Sequence, residues 1–183
     1  MIRTIKLNTG ASVKDYNKVS DWLSFETPNK IFISSGKVDI GQHISTTLAL
    51  ISSRELEVDI NSITVKKLNT DVTPNEGITA SSLSVPNSGT AIRSASIIFK
   101  KSFLDYASKL LNLNKNNLKL DDGVVKDPNS NASISFWDFS KTDEFLELTI
   151  PENIEIFDQN NIDFDSHVET KFINSIVKGE YKF

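Results

Sequence analysis

The sequence contains no cysteine. That excludes disulfides, thiolate metal sites, a cysteine nucleophile and any iron–sulfur cluster held by this chain itself. Histidine is nearly absent too: His43 and His167 are the only two, far apart and without the carboxylate spacing of a zinc site. There is no excess of positive charge. Lys and Arg total 20 against 24 Asp and Glu, interspersed along the chain, for a formal charge of −4, so nucleic acid is not an expected partner. No apolar run is long enough to span a bilayer, and "MIRTIKLNTGASV" has basic residues but no apolar core of a signal peptide. Membrane insertion is therefore not expected, and no compartment is indicated. Internal repeats and low-complexity tracts are also missing.

What is present is organised mainly by hydrophobic spacing. The chain, 183 residues long, suffices for one domain with a trailing segment. "DWLSF", "TPN" and "KIFIS" read as a hairpin that leads into Gly36. From Ile44 the spacing turns helical, with Ile44, Leu48 and Ile51 on one face up to Leu56 and Ser45 or a neighbour as cap. "SITVKKL" reads as a strand through Ile63 and Val65. A loop rich in Ser, Thr, Asn, Pro and Gly runs from Asn69 to Gly89, long enough to be either functional or mobile. A second helix places Ile92, Ala95, Phe99, Phe103, Tyr106, Leu110 and Leu113 on one face. "LKLDDGVV" predicts a hairpin turning at Asp122-Gly123, and "ISFWDFS" starts another short element. From about Thr149 the chain reads as a surface-running connector. The expected fold class is α+β, a small mixed sheet with two main helices.

Two stretches are candidate sites. "GKVDIGQHIST", Gly36 to Thr46, joins a strand to a helix. It matches neither GxGxxG nor the P-loop, since Val38 follows Gly36-Lys37. Its glycines either serve the turn alone or let backbone amides at a helix start approach an anion. Thr79, Ala80, Ser81 and Ser82 form a run of small residues that is either a solvated loop or the lining of a polar cofactor. "DQNNIDFDSHVE" has acids at some calcium-loop positions, but Ile162 occupies a ligand position and Asp163 the required glycine, so it reads as acidic connector. No Ser, His and Asp set can be assembled, and no carboxylate pair stands out.

Taken in order, the turn, the helix ending in "RELEVD", the strand, "NTDVTPNEG", "TASS" and the long helix resemble the molybdopterin-binding large subunit of the xanthine dehydrogenase and aldehyde oxidase family. The nearer likeness is to its isoquinoline oxidoreductase and nicotinate dehydrogenase branch. The resemblance implies part of that family's molybdopterin-binding domain in residues 1–148, and in 149–183 a connector toward a hammerhead domain that these residues do not include. It implies a molybdenum-bearing molybdopterin, in the cytosine dinucleotide form usual for the branch, contacted by Gly41 and Gln42, with His43 where the family has a second glycine, and lined by Thr79, Ala80, Ser81 and Ser82. The metal is held by the pterin, so no protein metal ligand is implied. Implied partners are the remainder of the large subunit and a 2Fe-2S subunit. The family's catalytic glutamate lies in a later segment not found in this chain, so no catalytic residue is assigned and activity of the chain by itself is not expected. The expected function is to grip the cofactor for hydroxylation of an aldehyde or N-heterocycle. The alternative is a stand-alone non-catalytic subunit, or a remnant, that binds the rest of a split large subunit through an apolar face at Phe172, Ile173, Ile176, Val177, Tyr181 and Phe183.

Overall fold

Residues 3–127 and 130–158 are described by a computed structural model. The chain forms two units, one from its two ends, Met1–Leu7 and Asn153–Phe183, the other from Asn8–Glu152. In the first, the backbone of β1 (Arg3–Asn8) is hydrogen-bonded to a strand at Asn153–Asp158, the last among the described residues. The connector expected from Thr149 thus begins with buried Ile150 and then a strand. In the sequence the alternation of Ile154 and Ile156 is masked by the Asp and Asn around it, residues that read as loop. The apolar C-terminal face, His167 and nearly all of the acidic stretch lie outside the described residues.

The second unit is built on β2 (Leu23–Thr27) and β3 (Lys30–Ile33), an antiparallel hairpin whose Asn29 adopts a left-handed φ of 59°. That tight turn is what Pro-Asn between two alternating runs calls for. β3 leads through the turn at 36–43 into α1 (Ile44–Leu56), and the chain returns in β4 (Ile63–Val65), parallel to β3. The sheet is mixed, as expected, and the β3-α1-β4 crossover puts the turn at the carboxyl end of a parallel strand and the amino end of a helix. Open α/β sheets bind ligands at that end.

α2 (Thr90–Leu111) packs beside α1. It is entered through a π-helical turn, Val85–Gly89. Ile92, Ala95, Phe99 and Phe103 are fully buried on the predicted face. Farther along the prediction fails: Ala107 is buried while Leu110 is 59% exposed, and Leu113 lies beyond the left-handed stop at Asn112. At 3.6 residues per turn, four-residue steps drift off a face, and the spacing carried one step too many. The buried hydroxyls of Ser52 and Ser96 meet at 3.2 Å between the helices, and Arg93 reaches Glu55 at 2.8 Å.

Next come β5 (Leu120–Asp121), β6 (Val124–Lys126) and β7 (Ser133–Ser135), a three-stranded antiparallel sheet, then α3 (Phe136–Phe139) and α4 (Asp143–Leu146). The turn between β5 and β6 uses positive φ at Asp122 and Gly123, as Asp-Gly predicted. Ser135 and Thr142 cap α3 and α4 through their hydroxyls. These short helices deliver Phe136, Phe139 and Phe145 onto α2. Phe25 stacks on Phe99 at 4.6 Å, and Phe99 and Phe103 meet Phe136 edge-on at 5.0 and 4.7 Å. This aromatic cluster is the core. β8 is the strand at Asn153–Asp158 that pairs with β1.

Candidate functional site

At the carboxyl end of β3 the turn is braced from within. Gln42 spans it with both halves of its amide: Oε1 accepts from the Ile40 N–H at 2.6 Å and Nε2 donates to the Val38 carbonyl at 2.8 Å. Asp39 accepts from the Gly41 N–H at 3.1 Å and from the Ser45 N–H at 3.2 Å. Asp39, six residues back, therefore caps α1 where Ser45 or a neighbour was expected, and His43 precedes the helix in a left-handed conformation with no side-chain cap. The amides of Gly41 and then Ser45 hold the Asp39 carboxyl below the usual carboxylate range. Gly41 has φ 100° and open space where a Cβ would stand. Gly36 is the opposite case, since a Cβ there would lie 2.1 Å from the Pro74 carbonyl oxygen.

The second loop lies against the first. The Val38 N–H donates to Thr79 Oγ1 at 2.9 Å. The Lys37 ammonium, on a residue only 7% exposed, donates to the carbonyls of Glu76 at 2.7 Å and Ile78 at 3.0 Å. Glu76 answers in the other direction. Its carboxylate accepts from the Gly36 N–H at 2.8 Å, from Ser12 Oγ at 2.7 Å, from Ser35 Oγ at 3.3 Å and from Ser88 Oγ. A cavity of about 480 Å³ lies between the loops, bounded by Gly36, Val38 and Ile40 on one side and by Thr73, Pro74, Asn75 and Thr79 on the other. That volume lies within the range of small-molecule sites.

Of the residues that the family resemblance assigned to the cofactor, only Thr79 borders this cavity and joins the two loops. Gly41, Gln42 and His43 occupy the exposed crest of the turn, and Ala80, Ser81 and Ser82 are exposed beyond Thr79, the two serines both at φ 56°. Their hydroxyls make no hydrogen bond among the described residues. In the sequence Lys37 entered only in excluding a P-loop and Glu76 not at all, because nothing in their spacing pairs a turn lysine with a loop glutamate. Among the described residues no three His, Cys, Asp or Glu side chains gather as a metal site, and no helix is long and apolar enough to cross a membrane.

The chain belongs to the molybdopterin cofactor-binding domain family, which matches residues 2–170. Among curated relatives it is 27% identical to aldehyde oxidase 3 of Rattus norvegicus over 97 residues, 53% of this chain and 7% of that protein. It is 28% identical to a nicotinate dehydrogenase chain of Pseudomonas putida over 106 residues, 58% of this chain and 9% of that protein. The chain thus spans less than a tenth of the length of these relatives. A solved Cu,Mo-CO dehydrogenase in its carbon monoxide reduced state has the same fold over 86% of this chain and 21% of its own, with a TM-score of 0.53 at 20% identity. A reconstituted CO dehydrogenase from Oligotropha carboxidovorans gives 0.54 at 18%, over 85% of this chain and 21% of its own. The xanthine dehydrogenase and aldehyde oxidase resemblance and the α+β fold are borne out.

Proposed function

We propose that the chain supplies one wall of the cofactor site of a molybdenum hydroxylase large subunit, and that the cofactor is the cytosine dinucleotide form of molybdopterin. The observation that carries this reading is the Val38–Thr79 hydrogen bond, which sets the turn beside the small-residue loop. The residues present suit a phosphate-bearing pterin in kind. The glycine at 41 leaves the backbone open on its outer side, and Ser81 and Ser82 present uncommitted hydroxyls that can donate to phosphate oxygens. Gln42 acts by bracing the turn, so Gly41 and the crest are held ready. His43 adds an exposed imidazole at the same crest.

When bound, the chemistry that cofactor supplies is hydroxylation of an aldehyde or N-heterocyclic carbon, with electrons leaving to a 2Fe-2S subunit. This chain's own residues hold and orient. The acid–base step falls to a segment outside these 183 residues. Residues 1–148 act as part of the cofactor-binding domain, and 149–183 lead toward a hammerhead domain. In the complete enzyme, Gln42→Ala is expected to lower molybdenum per large subunit, measured by metal analysis. Unchanged occupancy would remove Gln42 from the grip.

A second reading, a separate non-catalytic subunit completing a split large subunit, is favoured by the apolar side chains around the site. Ile78 is 83% exposed, Ile40 75% and Val72 70%. Exposed apolar groups of this size gathered at one site mark a surface that is covered by another part of the protein or by a partner. The intact mass of the polypeptide from its native source separates the two readings.

A further inference from the structure

Two charged side chains at the site touch neither solvent freely nor each other, and each ends on the backbone of the loop opposite its own. Lys37, from the turn, forms no ion pair among the described residues and spends its ammonium on two carbonyls of the second loop. Glu76, from the second loop, spends its carboxylate on the Gly36 amide of the turn and on three hydroxyls. Two of those hydroxyls belong to other parts of the unit, Ser12 near its start and Ser88 in the π-helical turn before α2. Ser88 is fully buried and also meets Ser35 Oγ at 3.0 Å.

We propose that Lys37 and Glu76 are positioning residues that form a reciprocal clasp, setting the two loops at a fixed separation before the molybdenum cofactor arrives. This rests on the cofactor-site reading above and names what prepares the site. The direction of the bonds is what makes the pair a clasp. A lysine can only donate and a carboxylate only accept, so the turn offers its donor side chain to the second loop's carbonyls and receives that loop's acceptor on its own amide. Cutting either arm leaves the partner loop with unmatched groups. With Lys37 gone, the carbonyls of Glu76 and Ile78 lose their donor. With the Glu76 carboxylate gone, the Gly36 amide and the Ser12 and Ser88 hydroxyls lose their acceptor. Both cuts free the same two loops, and neither touches the aromatic core. A ligand that needs the loops in register then binds only the fraction of molecules in which they are so arranged.

The test uses Lys37→Met, which keeps an apolar stem in place, Glu76→Gln, and the double variant. In the 183-residue chain, amide hydrogen exchange at Gly36 and Val38 is expected to speed up roughly tenfold or more in each single variant, with the α2 amides around Phe99 unchanged as the control for folding. In the assembled large subunit with its iron–sulfur partner, the rate of molybdenum loss on dialysis is expected to rise by roughly tenfold in each single variant. The double variant should lose molybdenum no faster than the worse single one, because one clasp can be opened only once. Faster exchange with unchanged molybdenum retention would overturn the proposal, reducing the pair to a loop brace. Additive losses would overturn it as well, since they would mean two independent contacts. If a variant disturbs α2 exchange, Ser12→Ala, which removes a single arm of Glu76, is measured in its place with the same two expected outcomes. An unaltered assembly that holds no molybdenum would overturn the cofactor-site reading itself, a failure distinct from those two because it appears without any substitution.

Discussion

The two ends of the larger unit are built on opposite plans. Around α2 the aromatic side chains are inside: Phe99, Phe103, Phe136 and Phe139 are fully buried and in ring contact. At the carboxyl end of β3 the polar groups are inside, with Ser35, Lys37 and Ser88 buried, and the apolar ones outside, with Ile40, Val72 and Ile78 mostly exposed. The first end gains its stability from area removed from water, a non-directional force that tolerates some rearrangement. The second is held by hydrogen bonds of fixed direction, which specify one arrangement of atoms rather than merely a compact one. The proposed cofactor site calls for the second kind, and the apolar exterior fits the proposed cover by further protein.

Four changes sharpen or break this contrast. The largest effect is expected from Phe99→Ala, which hollows the aromatic end and should cost about 3–5 kcal/mol in denaturant unfolding of the chain. Glu76→Ala should cost less, about 2–3 kcal/mol, by stranding the donors that converge on its carboxylate. If it costs as much as Phe99→Ala, the polar end is also a folding core and the contrast fails. Asp39 gives a pH signature confined to the turn. Its carboxyl is held low by the amides of Gly41 and Ser45, so its bracing is complete above the ordinary Asp value and is lost as pH falls through the lower folded one. The Gly41 and Ser45 amide resonances should therefore shift only in acid below about pH 4. The smallest effect belongs to Ile78→Ser, expected to change the stability of the chain by no more than about 0.5 kcal/mol. A large loss there would show that Ile78 is packed within the chain rather than held ready for something outside it.

The aromatic end was legible in the sequence because its signals are local and periodic. Ile92, Ala95, Phe99 and Phe103 recur at helical spacing, and Pro28-Asn29 and Asp122-Gly123 announce their turns, while of α3 and α4 the sequence offered only a short element starting at "ISFWDFS". The polar end was legible only as two suspicious stretches. Its organising residue, Glu76, finds partners 12, 40, 41 and 64 positions away, and hydrogen bonds between loops leave no period to read. The same holds for the cap of α1, where proximity in sequence suggested Ser45 and the fold supplies Asp39. Gln42 does lie in the turn, but only the structure displays that its amide faces inward along its own loop.

The π-helical turn at Val85–Gly89 acts as a phase setting. A π turn takes up one residue more than an α turn, and each residue of an α-helix advances by about 100°. The turn therefore carries the mismatch between two sets of side chains that must face different neighbours: Ser88, which looks to the polar end, and Ile92 onward, which looks to the aromatic one. Removing one residue there would let the helix run on regularly and swing Ser88 away from Glu76, while every apolar side chain of α2 stayed where it was. In length, then, this segment has no slack: a residue gained or lost between Val85 and Gly89 uncouples the site from the core.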